Sequence, residues 1–136
     1  MALLVYMTAA SPEEARTIGD ALVAGRFAAC VNILGPVQSL FRWKGAVQSE
    51  TETAFIAKTT QERLDGLTAE VRRLHSYEVP CIIALPILGG DAAFLDWIVS
   101  ETNDASPRPS GEASGVTSNV SSGAPSAPLT VPGKDT

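Results

Sequence analysis

Few residues in this chain are equipped for chemistry. The single histidine, His75, stands three positions before Glu78. If a helix runs through both, they face one side and offer nitrogen and oxygen donors to a metal ion. Plainer roles fit the same spacing: an imidazolium favours a helix C-terminus, and Glu78 can accept hydrogen bonds from the loop. Cys30 and Cys81 both fall in strand-like segments and are expected as buried thiols. Two thiols and one histidine are too few for a local closed zinc site, and neither a Cys-x-x-Cys pair nor a Cys–His nucleophile signature is present. Lys58 is placed either to meet an anionic ligand or to be solvated or salt-bridged. Trp43, Tyr77 and Trp97 are aromatic enough for a ligand cage, but such residues more often pack. Gly89-Gly90-Asp91 is a turn into a helix and only a weak anion site. Walker, GxGxxG and GxSxG patterns are missing. These residues on their own indicate no reaction.

The elements that must position them follow from pattern. Leu3–Thr8 is a short apolar run, suited to a strand buried on both faces. Ser11-Pro12-Glu13-Glu14 starts a helix: Ser11 caps, Pro12 suits the first position and Glu14 closes a capping box. Ala15, Ile18 and Leu22 form its stripe, and Gly25 stops it. Cys30–Phe41 is extended, with a break at Gly35-Pro36, and Trp43-Lys44-Gly45-Ala46 reverses tightly with Gly45 at positive φ. Val47–Thr59 returns, polar across Glu50–Thr53 and apolar across Phe55–Ala57. Thr60 caps a second helix striped by Leu64, Leu67, Val71 and Leu74. Pro80 bars its continuation, Cys81–Leu85 is another buried strand, and Asp91 caps a last helix carrying Phe94, Leu95 and Ile98. The order is β-α-β-β-α-β plus a helix, an α+β ferredoxin-like fold with a long β2–β3 hairpin and an extra C-terminal helix. That fold names no function.

Composition divides the 136 residues near position 104. All eight aromatics lie before it, whereas 16 of the 32 residues from 105 to 136 are Pro, Gly or Ser. The expectation is one domain over 1–104 and a disordered tail over 105–136. Net charge is −5, without a Lys/Arg cluster, which argues against nucleic acid or an anionic membrane as partner. No apolar run reaches the roughly 18–20 residues of a membrane span. The opening MALLVYMTAAS has no basic n-region and reads as a first strand rather than a signal peptide. With its cysteines unpaired, the protein is expected in the cytoplasm.

One dimension points to a partner. Fully extended, residues 29–43 span about 50 Å at ~3.3 Å per residue, whereas a domain of this size is only about 33 Å across. The hairpin must bend, project, or both. A projecting arm carrying Val37, Leu40, Phe41 and Trp43 exposes apolar side chains and free strand edges, which a second subunit would cover.

Six stretches in order over residues 3–101 resemble the CutA family of divalent-cation tolerance proteins. They are Leu22-Val23 through Ala28-Ala29-Cys30-Val31-Asn32, Ser39-Leu40-Phe41-Arg42-Trp43-Lys44-Gly45, Lys58-Thr59-Thr60, His75-Ser76-Tyr77-Glu78-Val79-Pro80, Ile83-Ala84-Leu85-Pro86 and Phe94-Leu95-Asp96-Trp97. The resemblance implies a small cytoplasmic homotrimer, similar to the trimers of PII signalling proteins, with long hairpins packed on neighbouring subunits. It further implies a role in tolerance of copper and other divalent metals, copper binding in some members, and no settled enzymatic activity. In copper-binding members a cysteine can precede Thr-Ala in the first strand, and two histidines can precede the Tyr motif. Here these positions are Met7 and the pair Leu74-His75, and Ser76 replaces the usual proline.

The implied metal donors are therefore His75, Glu78 and Met7, binding copper or another divalent cation weakly, with none required for folding. The alternative is a PII-like sensor or adaptor holding a small ligand in an intersubunit cleft, with Cys30, Trp43, Lys58, Tyr77 and Trp97, together with His75 and Glu78, as its lining.

Overall fold

The computed structural model describes residues 1–103; the expected tail over 105–136 lies outside them. The elements are β1 (Ala2–Ala9), α1 (Pro12–Ala24), β2 (Cys30–Trp43), β3 (Ala46–Thr60), a 3-10 turn (Gln61–Arg63), α2 (Leu64–Leu74), β4 (Ile82–Pro86) and α3 (Ala92–Glu101). The four strands form one antiparallel sheet in the order β2-β3-β1-β4, which is the ferredoxin-like arrangement. Alternate residues of β1 and β3 face the helices. Val5, Met7, Phe55 and Ala57 pack there on Ala15, Ile18 and Leu22 of α1 and on Leu67 and Val71 of α2. Ile98 of α3 is also buried, outside that cluster, where α3 rests on β3 and β1.

The helix termini differ in detail from what the residue pattern predicts. Ser11 caps α1 as expected, its hydroxyl accepting from Glu14 N at 3.1 Å. The Glu14 carboxylate reaches Ala10 N rather than the cap residue itself. Gly25 ends α1 at φ −89°, and the left-handed position falls on Arg26, φ 63°. Gly25 is required sterically instead: a Cβ there would stand 2.8 Å from the Phe27 ring. Thr60 makes no side-chain cap bond, because a 3-10 turn intervenes before α2.

The hairpin is longer than the rest of the sheet. β1 pairs with β3 only as far as Ala9↔Thr53, so residues 46–52 pair solely with β2. This two-stranded arm extends about 23 Å past β1 at ~3.3 Å per residue. The expected break is a β-bulge between Ile33 and Gly35, with Gly35 at φ 121°. Pro36 is tolerated because β2 is an edge strand, with no neighbour on its outer side to receive an N–H. Lys44 (φ 51°) and Gly45 (φ 82°) both take positive φ in the two-residue turn, as a type I′ reversal demands. The expectation that β4 is a buried strand is corrected. It is the other edge strand, and Ile83 and Leu85 are 54% and 48% exposed.

Candidate functional site

His75 sits where α2 ends. The helix stops at Leu74, and His75 is its C-cap with extended backbone (φ −81°, ψ 144°). Glu78 therefore lies in the following loop, exposed, and the expected one-sided helical pair with His75 does not form. The imidazole is fully buried. Its Nε2 lies 2.8 Å from Thr8 O, and its Nδ1 accepts from Tyr77 N at 3.1 Å. A carbonyl on one side and an N–H on the other assign the proton to Nε2 and leave neither nitrogen a free lone pair. Met7 is also placed away from ligand duty: it points into the core, completely buried and paired across the sheet with Phe55 and Ile82. Among the described residues, no group of three or more His, Cys, Asp or Glu could hold a metal ion.

Around His75 the fold builds a polar cluster that residue spacing does not single out. Glu14 lies 3.8 Å from His75 Nδ1 and accepts from the backbone N–H groups of Ala10 and Ser76, both at 2.8 Å. Burial alone would raise its carboxyl, but these hydrogen bonds outweigh it and hold the group below its ordinary value. The Tyr77 ring lies 4.7 Å from the His75 ring, tilted at 47° to it, and its hydroxyl donates to Glu52 Oε2 at 2.7 Å. Its phenol is pushed strongly upward, first by burial, then by the hydrogen bond to Glu52 and the charges of Glu52, Glu50 and Glu14. Cys81 belongs to the same neighbourhood. Its thiol is raised by burial and by the Glu52 charge, with a hydrogen bond from Thr8 working the other way. The signal for Glu52 was present in the sequence as the polar Glu50–Thr53 run inside a strand. The signal for Glu14 was masked by its evident place in the helix start.

The expected cleft residues are dispersed over the chain. Cys30 and Lys58 are cross-strand partners, and Lys58 Nζ hydrogen-bonds Asn32 Oδ1. Burial pushes the Cys30 thiol up, opposed by the Lys58 charge. Protonated thiols such as these are poor nucleophiles and poor metal ligands near neutral pH. Trp43 stands at the far end of β2, under Lys44 at 5.7 Å. That is about 40 Å along the strand from Cys30 at ~3.3 Å per residue. Trp97 lies on α3, 5.4 Å from the Phe94 ring. Within one chain, Tyr77 joins His75 and Cys30 joins Lys58, but Trp43 and Cys30 cannot line one cavity.

Residues 3–101, which carry this entire arrangement, match the family model described as CutA1 divalent ion tolerance protein. The chain belongs to the CutA1 family. A CutA1 relative from Archaeoglobus fulgidus, named divalent-cation tolerance protein CutA, is 47% identical over 94 residues, covering 69% of this chain and 91% of that protein. The protein of the same name from Thermus thermophilus is 44% identical over 99 residues, covering 73% and 96%. Its solved structure superposes with a TM-score of 0.74 over 76% of this chain and all of that one, at 44% identity. Rice and Arabidopsis CutA proteins, both named chloroplastic, match at 37% and 39% identity over 76% and 75% of this chain. The chain spans 58% and 56% of those two plant proteins. A solved structure from Archaeoglobus fulgidus is described as a periplasmic CutA. Proteins named CutA are thus described from more than one compartment. No helix among the described residues is long and apolar enough to cross a membrane.

Proposed function

We propose that this protein serves divalent-cation tolerance as a cytoplasmic homotrimer without enzymatic activity, and that copper or another divalent cation binds it weakly and between subunits. The observation that carries the reading is the surplus of uncovered apolar surface. Leu40, Phe41, Trp43 and Val47 on the arm and Ile83 and Leu85 on β4 are all exposed in the single chain. A monomer rarely leaves a long projecting arm and a second strand edge both apolar and open. Tight binding on one chain is disfavoured by the His75 ring, whose two nitrogens are already engaged, and by the burial of Met7.

A second reading, a PII-like sensor or adaptor holding a small ligand between subunits, is favoured by one specific feature. Trp43 and Cys30 stand at opposite ends of β2, so a cleft that uses both needs more than one chain. Light scattering on the purified protein tests assembly; a stable monomer overturns both readings. Calorimetry with Cu(I), Cu(II) and Zn(II) separates them. Weak binding that survives His75→Ala supports a metal site between subunits. No binding of any of the three ions, with a hit in a metabolite screen, supports the sensor.

A further inference from the structure

The arm leaves the body of the sheet on two unequal rails. β3 crosses the boundary without interruption, its pairs running Ala54↔Gly35, Thr53↔Pro36 and Glu52↔Val37. β2 carries an extra residue at the same place: Leu34 is passed over by the register between Ile33 and Gly35, and it is 59% exposed. A bulge bends its strand and disrupts the ladder locally. Gly35 holds φ 121°, and a Cβ there would meet nothing within 4 Å. Glycine therefore serves the backbone conformation at this position rather than close packing, and the space around it is open.

Past this junction, little ties the arm to the body. Among the described residues, the Tyr77 hydroxyl on Glu52 Oε2 is the only side-chain hydrogen bond or ion pair between residues 37–52 and the rest of the chain. Glu52 is the first residue of β3 past the end of β1, so the bond falls at the junction itself. Tyr77 is in turn fixed to the body. Its N–H donates to His75 Nδ1, and His75 Nε2 meets Thr8 O of β1. The preceding Ser76 N–H donates to Glu14 of α1.

We propose that the arm is a pivoting element, hinged at the Leu34–Gly35 bulge and latched in the observed direction by the Tyr77–Glu52 hydrogen bond. Opening the latch lets the arm tilt while its own two-stranded ladder stays paired. Hinges of this kind absorb a motion in a few residues and leave the elements on either side rigid. The arm reaches about 23 Å past β1 at ~3.3 Å per residue, so a tilt of about 10° at the bulge moves its tip by about 4 Å. The loop that follows α2 carries the latch, so whatever shifts that loop is relayed to the tip. Hinge and latch both lie within one chain, so the device is independent of the metal and sensor readings above.

Hydrogen–deuterium exchange on the full chain, read by mass spectrometry, tests this. The latch is opened from one side by Tyr77→Phe and from the other by Glu52→Met. Glu52→Gln is the conservative control, because its amide oxygen still accepts from Tyr77. Circular dichroism confirms that each variant is folded; if Tyr77→Phe is not, the two Glu52 variants carry the comparison. Tyr77→Phe and Glu52→Met should speed exchange about tenfold at the junction, residues 33–37 and 52–54, and less than about twofold in the outer ladder, residues 38–43 and 46–50. Glu52→Gln should stay within about threefold of the parent throughout. Unchanged exchange at the junction overturns the latch. Equal acceleration along the whole arm overturns the pivot, since the arm then frays instead of tilting. Glu52→Gln as disruptive as Glu52→Met shows that charge rather than the hydrogen bond holds the arm, which also overturns the latch. Light scattering accompanies each variant, and faster exchange that comes with a lower mass overturns the pivot in favour of lost subunit contacts.

Discussion

Single residues here have structural roles that their types do not announce. His75 has the composition of a metal ligand but the connections of a clamp, tying the end of α2 to β1 through Thr8 O and to the next loop through Tyr77 N. His75→Ala should lower stability by about 2–4 kcal/mol, from a buried cavity plus a stranded carbonyl and N–H, measured by denaturant unfolding. A loss under about 0.5 kcal/mol, the range of ordinary surface substitutions, would show that the ring is dispensable to the fold. Glu14 is the acid-sensitive member of the cluster. Its folded-state pKa lies below its unfolded one, so its contribution is complete above the unfolded value of about 4.3 and fades as pH falls through the lower folded value. Glu14→Gln should therefore cost about 1–2 kcal/mol at pH 7, and the gap between parent and variant should close towards pH 3. A gap that stays constant in acid would show that the ionised carboxylate is not what stabilises the cluster.

Elements are positioned by a few contacts that override local propensity. Phe27 is held between two glycines. A Cβ on Gly66 would stand 2.9 Å from one side of its ring and a Cβ on Gly25 2.8 Å from another, while the Arg63 guanidinium lies 4.8 Å over its face. Gly66 lies inside α2, where Gly→Ala normally gains about 1 kcal/mol. Here Gly66→Ala should instead lose about 1 kcal/mol, because the ring has nowhere to move. A rise in melting temperature would show that Phe27 can yield. The turn of the arm offers the opposite case. Lys44 holds a positive φ that an L side chain rarely adopts, so Lys44→Asn should stabilise the hairpin by a few tenths of a kcal/mol, up to about 1. Chemical denaturation of the two proteins compares them directly.

At the scale of the molecule, apolar surface is unevenly covered. The sheet gives its helix-facing side to one well-buried cluster, yet leaves the arm and the β4 edge apolar and open. Ile83→Lys and Leu85→Lys separate the two uses of that surface. Both side chains are about half exposed in the single chain, so a charge should cost the isolated fold within about 0.5 kcal/mol. In a subunit contact, the same charge would cost several kcal/mol if desolvated. The expected outcome is a folded variant of lower mass by light scattering. Unchanged mass would place the contact elsewhere on the chain.

Periodicity and punctuation carried the architecture. The helix start at Ser11-Pro12, the stripe through Leu67 and Val71, the Gly45 reversal and the overlong hairpin were all legible, because each depends on neighbours in sequence. The six motifs likewise carried the family. The site was not legible in the same way. Where α2 stops decides whether His75 and Glu78 share a face, and which strand is at the edge decides whether Ile83 is covered. The Glu14–His75–Tyr77–Glu52 cluster joins positions up to 63 residues apart, counting from Glu14 to Tyr77. Burial and hydrogen-bond partners are properties of that three-dimensional meeting, so only the tertiary structure could turn an apparent metal ligand into a satisfied core histidine and an ordinary polar strand residue into a buried carboxylate that accepts from a tyrosine.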